Sequence, residues 1–250
     1  MELHFEVLLR AESLIALGTL TLLEIILGID NILFISIISE RLPEEQRPRA
    51  RVVGLALALI FRVALLFMIT WLVHFEDPLF TFFEIGFSVK DLIMLGGGTF
   101  LLVKTISEIH HKMDETEDEK GGLKNTKAKS FMSVIGMIIL IDMVFSFDSI
   151  LTAVGMVDEI IIMVVAVIVA MIIMMVFVNK ISRIINTYPS IQMLAMSFLI
   201  LISFVLILDG LHKHIERGYV YFALFFSLMV EILNIRSTTK GKKKKLVENE

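Results

Sequence analysis

Twice in this chain a pair of acids, six residues apart, sits inside an apolar run long enough to cross a bilayer. The first motif reads EIILGIDNIL from Glu24 to Leu33, and the second reads DMVFSFDSIL from Asp142 to Leu151. Superposed, each gives an acid, five mostly apolar residues, Asp, then Asn or Ser, then Ile-Leu, and the copies start 118 residues apart. A chain in hydrocarbon must satisfy its own backbone, so apolar runs of this length fold as helices. An ionised carboxylate at that depth is expensive, so its default role is functional. Acids that merely hydrogen-bond neighbouring helices have no reason to recur in matching register. Four acids in duplicated registers imply a cation site built from two copies of one unit.

Composition agrees with a membrane protein. Hydrophobic residues make up 56% of the 250, mean hydropathy is +0.83, and several runs exceed the roughly 20 apolar residues that span about 30 Å of hydrocarbon. Seven spans are read: Leu14–Ile38, Val52–Val73, Leu92–Ile109, Phe131–Val154, Ile160–Val178, Ile191–Leu208 and Tyr219–Ile235. With no cysteine, disulfides and thiolate metal sites are excluded. Met1–Ser13 carries Glu2, Glu6, Arg10 and Glu12 with no basic region before a short apolar run, so the first span is expected to stay in the mature protein.

Lys and Arg set the expected orientation. On one side fall Arg41, Arg47, Arg49 and Arg51; Lys112, Lys120, Lys124, Lys127 and Lys129; Lys180 and Arg183; and Arg236, Lys240 and Lys242 to Lys245. The other side holds only Arg10, Lys90, Lys213 and Arg217. Seventeen against four places the amino terminus outside and the carboxyl terminus in the cytoplasm. The net charge of -4 says little about partners, because the signs are segregated by loop.

The polar segment Asp114–Ser130 separates spans 1–3 from spans 4–6. Three spans per half is an odd number, so the second copy must enter the membrane the other way up. The expected organisation is an all-α membrane protein with a 3+3 inverted-topology repeat. It comprises a first repeat over residues 14–109, a cytoplasmic linker over 110–130, a second repeat over 131–209, a seventh helix over 219–235 and a basic tail over 236–250. EIHHK at Glu108–Lys112 and DGLHK at Asp209–Lys213, each closing a third span, echo the duplication. Inverted repeats with a site near the midplane are a recurrent transporter plan.

On a straight helix Glu24 and Asp30 lie about 9 Å apart along the axis and about 120° apart in azimuth, so they cannot share one small ion unaided. Either the helix loosens at Gly28, whose repeat counterpart is Ser146, or spans 1 and 4 cross antiparallel near Leu27 and Phe145. Such a crossing sets Glu24 level with Asp148 and Asp30 level with Asp142, with Asn31 and Ser149 adding neutral oxygens. Carboxylate, amide and hydroxyl oxygens form a hard ligand set suited to Mg²⁺, Ca²⁺ or Mn²⁺ rather than Cu⁺ or structural Zn²⁺. Clustered acids suppress one another's ionisation, so protons can replace the metal, and metal–proton exchange is the expected mode.

The remaining polar residues carry weaker signals. Arg62 sits mid-span and needs a partner, either a motif carboxylate or a structural acid elsewhere. His110, His111, His212 and His214 stand at span ends and read as interfacial. Gly96-Gly97-Gly98 lacks a following Lys-Ser/Thr, so close helix packing is expected there rather than phosphate binding. The lysine-rich tail suits anionic lipid, and nothing in the chain suits nucleic acid.

Gly28-Ile29-Asp30-Asn31 in span 1 and the Asp142–Ile150 stretch in span 4 resemble the two signatures of TerC-family integral membrane proteins. The resemblance runs from about Ala16 to Asn234 and includes the arginine-rich first loop and PSIQMLAMSFLIL at Pro189–Leu201. The chain resembles a short member without appended regulatory domains. It departs from the pattern at Gly28, where many members have Ser, and at Ile150-Leu151-Thr152-Ala153, where they have Ile-Pro-Ala. The resemblance implies Mn²⁺ export from the cytoplasm across the cell membrane. By matching position, Asp30, Asn31, Asp142, Asp148 and Ser149 would carry the ion, with Glu24 as the repeat-mate of Asp142.

A transporter of this kind is no enzyme and holds no prosthetic group; Mn²⁺, with Ca²⁺ and Mg²⁺ as alternatives, is its cargo. Oligomeric state is left open, a homo-oligomer included. Two competing expectations are a membrane interaction or scaffold protein that delivers metal to secreted enzymes, and a small-solute exporter. An intramembrane aspartyl protease matches poorly, because GIDN is not the GxGD pattern and no glycine precedes Asp148.

Overall fold

The computed structural model describes residues 11–68, 78–82, 85–118, 130–157 and 159–247. Seven helices run through them: α1 Ala11–Ser39, α2 Arg47–Phe67, α3 Val89–Asp118, α4 Phe131–Met156, α5 Ile160–Thr187, α6 Pro189–Gly210 and α7 Arg217–Val247. Six are long and apolar enough to cross a membrane; α4 contributes the shorter apolar stretch Phe131–Phe147. The expected spans fall on these helices in order, except that the second ends at Phe67 and its continuation to Val73 lies outside the described residues.

Boundaries follow local chemistry. Pro189 takes the first position of α6 and biases Tyr188 toward extended backbone (φ -117°, ψ 103°), which stops α5 at Thr187. α6 ends with His212 at φ 60°, and Lys213 N–H donates to Leu208 O (2.8 Å) and His212 N–H to Asp209 O (3.0 Å). That is the paired-bond arrangement of a Schellman cap, with histidine where glycine is usual. Two helices outrun expectation. α3 continues past Ile109 to Asp118, into the segment expected to be linker, and α7 continues past Ile235 to Val247 through the lysine run. Lysine is a good helix former, and cations at a helix C-terminus complement its dipole.

One short antiparallel hairpin departs from an all-helical chain. β1 (Pro78–Phe82) pairs with β2 (Ile85–Ser88), and the Phe80 and Phe87 rings stack at 5.6 Å. Ser88 then caps α3. Its N–H and its hydroxyl both donate to Asp91 Oδ2 (2.8 and 2.7 Å), and Asp91 N–H donates back to Ser88 Oγ (3.2 Å). His212 Nε2 lies 3.0 Å from the same carboxylate oxygen, tying the end of α6 to the start of α3.

The helices interdigitate. α1 packs chiefly on α5, α2 on α4 and α5, and α3 on α6; contacts between neighbours within the first three or within α4–α6 are slight. Exchanging α1 with α4, α2 with α5 and α3 with α6 leaves this pattern of partners unchanged. α7 stands apart, packed on α6 and otherwise exposed.

Close approach between α3 and its neighbours depends on Gly97 and Gly98. A Cβ on Gly97 would lie 2.3 Å from a Val144 methyl, and one on Gly98 would lie 3.0 Å from Ser203 O, whereas Gly96 faces open space. Gly97→Leu is therefore expected to destabilise the purified protein by about 1–3 kcal/mol through overpacking. Gly96→Leu should leave it unchanged, and a paired thermal-unfolding measurement in detergent checks both.

Candidate cation site

Helical periodicity brings the first motif to one face. Leu20, Glu24, Gly28, Asn31, Ile35 and Ile38 recur every three or four residues along α1, and all are buried, as is Asp30 on the adjoining row. On α4 the same spacing aligns Asp142, Ser146, Ser149 and Ala153, also buried. Where these two faces meet, α2 inserts Arg62.

The result is a buried charged cluster. Arg62 donates through Nη1 to Glu24 Oε2 (2.5 Å) and through Nη2 to Asp142 Oδ1 (2.9 Å). Asn31 Nδ2 donates to the same Asp142 oxygen at 2.9 Å, which joins the two sequence motifs directly. Ser146 Oγ lies 3.0 Å from Asp142 Oδ2 and 2.5 Å from Asp142 O. Glu24 is 1% exposed and Arg62 and Asp142 are each 2% exposed. Among the described residues, Asn31 Oδ1 remains a buried acceptor with no hydrogen-bond donor. A cavity of about 20 Å³ lies alongside, lined by Asp30, Asn31, Arg62, Ser149, Leu27 and Phe145 among others, with Val220 and Tyr221 of α7 also contributing. That is room for about one water or one ion.

Each expected site residue can now be placed. Asn31, Asp142 and Glu24 come together; Asp30 and Ser149 line the cavity beside them. Asp148 lies on α4, with its side chain outside the described ones. Leu27 and Phe145 both border the cavity; the expected crossing set Asp30 level with Asp142 and Glu24 level with Asp148, whereas Asp142 is bonded by the Asn31 amide and joined to Glu24 through Arg62. α1 does not loosen at Gly28. It is continuous there, and a Cβ at Gly28 would lie 2.2 Å from Met174 Sδ, so the glycine admits the α5 side chain instead of freeing carbonyls. Among the described residues no three Asp, Glu, His or Cys side chains form a ready-made metal cage. Arg62 occupies the gap between two of the carboxylates, Glu24 and Asp142.

The histidines stand elsewhere: His212 on Asp91 and His214 3.2 Å from Asp209 lie at the end of the bundle opposite Arg41 and Glu40, whereas His110 and His111 lie on α3 between Glu108 and Lys112, at the Arg41 and Glu40 end. A second buried polar layer was not anticipated. Ser36 and Ser182 share a hydrogen bond of 2.6 Å, and Arg51 Nε donates to Ser39 Oγ at 2.7 Å. Ser36 and Ser39, three residues apart in an otherwise apolar span, are the sequence signal for it, whereas Arg51 reads in sequence only as a loop charge. Beyond this layer, Arg41 pairs with Glu108, and Glu40 takes Gln192 and Lys112.

Comparison with known proteins places this architecture. The sequence profile described as the integral membrane protein TerC family matches residues 9–246. The chain belongs to that family. The UPF0053 inner membrane protein YgdQ of Escherichia coli is 49% identical over 227 residues, covering 91% of this chain and 94% of its own length. A UPF0053 protein of Haemophilus influenzae is 43% identical over 232 residues, covering 93% and 97%. The longer YoaE of E. coli is 42% identical over 216 residues, which are only 41% of its length. No solved structure matches. This TerC-family chain is thus a multi-pass membrane protein.

Removing the guanidinium strands two buried carboxylates. Arg62→Met is expected to cost about 3–5 kcal/mol of stability, and adding Glu24→Gln and Asp142→Asn should recover most of it. Unfolding of the single and triple variants in detergent measures the difference.

Proposed function

We propose that this TerC-family protein is a secondary transporter that carries a divalent cation, Mn²⁺ foremost, out of the cytoplasm in exchange for protons. The single observation that carries this reading is the meeting of Glu24, Asn31 and Asp142 beside an ion-sized cavity that Asp30 and Ser149 also line. Every donor atom offered there is oxygen, which suits a hard dication such as Mn²⁺, Mg²⁺ or Ca²⁺. By its place in the second motif, six residues after Asp142 and next to Ser149, Asp148 is included in the proposed ligand set.

The exchange symmetry of the helix contacts supports a 3+3 inverted repeat with α7 added, and the Lys and Arg asymmetry supports an outside amino terminus and a cytoplasmic carboxyl terminus in the cell membrane. The lysine-rich end of α7 would then meet anionic lipid. A solute exporter for carboxylate compounds is less well supported, because Arg62, the cation at the cavity, is already held by two carboxylates.

Purified protein in liposomes should accumulate radioactive Mn²⁺ under a pH gradient. Asp30→Asn and Asp142→Asn should abolish that flux while the protein still inserts and purifies as a monodisperse species; Asp142→Asn leaves Arg62 balanced by Glu24. Wild-type protein that moves no divalent cation, or variants that move Mn²⁺ at the wild-type rate, would refute the assignment.

A further inference from the structure

We propose that Arg62 is a tethered resident cation that takes the cargo's place on Glu24 and Asp142 whenever the site is empty. The inference rests on the transport reading above and adds a role for a residue outside the motif ligands.

Three observations support it. First, the guanidinium spans two carboxylates that belong to different helices, α1 and α4, with one nitrogen on each. A fork of that shape does what a metal ion would do there: it brings two anionic oxygens together and cancels their repulsion. Second, Arg62 is itself a wall of the cavity, so a cation arriving in that space meets the guanidinium directly and must compete with it. Third, the cluster keeps an unspent acceptor. Asn31 Oδ1 has no donor among the described residues, although its amide is already engaged through Nδ2. Arg62 Nε likewise lacks an acceptor. A purely structural salt bridge at this depth would be expected to satisfy such atoms, since each is costly to leave bare.

The consequence for a carrier is specific. Without metal, every site carboxylate would need a proton before the site could cross between its two accesses. With Arg62 bridging Glu24 and Asp142, protons are needed only on the remaining carboxylates, and the metal-free, proton-loaded site returns as the exchange requires. When Mn²⁺ enters, its two charges displace the single charge of the guanidinium.

The test separates two kinds of flux in liposomes. Net Mn²⁺ uptake into metal-free liposomes requires the empty site to return, whereas exchange of radioactive Mn²⁺ for Mn²⁺ already inside does not. In Arg62→Gln the ratio of net uptake to exchange is expected to fall about ten-fold or more, and equilibrium Mn²⁺ binding in detergent to tighten by about ten-fold, since a competing positive charge has gone. Arg62→Lys keeps one charge but lacks the fixed fork that holds both acids at once, so its ratio should lie between those of wild type and Arg62→Gln. It also serves as the working variant if Arg62→Gln does not purify folded. Equal loss of both fluxes with unchanged or weaker Mn²⁺ binding in a folded variant would overturn the proposal, as would an unchanged ratio. Failure of wild-type protein to bind or move Mn²⁺ would instead overturn the transport reading itself.

Discussion

A guanidinium held between two carboxylates in the middle of a membrane bundle is the constraint around which this protein is organised. Taking any one of these charges out of water is costly, and attraction compensates only when the geometry is good and the remaining hydrogen-bonding capacity is used. The geometry here is good: bonds of 2.5 and 2.9 Å from separate nitrogens of one planar group. Glu24, Arg62 and Asp142 sit on α1, α2 and α4, so the cluster fixes the relative depth and rotation of three helices at once. An arginine suits this position where a lysine would not, because its fork presents two donors in fixed directions.

The same logic explains why the helices interleave. Polar groups in hydrocarbon need partners, and here the partners come from the opposite half of the chain: Asn31 on Asp142, Ser36 on Ser182, Arg51 on Asn179. Small residues then allow the helices to approach, with Gly28 receiving Met174 and Gly97 receiving Val144. Energies differ along the axis. The Arg41–Glu108 and Lys112–Glu40 pairs are partly exposed and cheap to separate, while the buried cluster is expensive to break. A bundle built in this way yields more readily at its ends than at its centre.

Much of this was legible in the chain. The duplicated register of Glu24–Asp30 and Asp142–Asp148, the need of Arg62 for a partner, and the packing role of the glycine run all follow from hydropathy and from the cost of polar groups in lipid. What was not legible is instructive. Gly28 was open to two interpretations, since glycine both loosens helices and admits neighbours, and only the position of Met174 decides between them. The hairpin at Pro78–Ser88 is too short to show a period beside long apolar runs, and Ser88–Asp91 reads as a capping box only once a helix start is known. Arg51 looked like a topogenic loop charge because its burial depends on Ser39 and Asn179, the latter 128 residues away.

Under the proposed transport reading, Arg62 also bears on which ions the site would discriminate. A monovalent cation that displaced the guanidinium would exchange one positive charge for another, and would still have to relocate a side chain with 2% exposure. It gains nothing in Coulomb energy for that cost. A dication brings a second charge against the same two carboxylates, and inside a protein each added charge at contact distance is worth on the order of a few kcal/mol. Oxygen ligands alone would not separate Mn²⁺ from Na⁺ decisively, because both accept them. A built-in monovalent competitor would, since it raises the threshold for entry above what a single charge can meet.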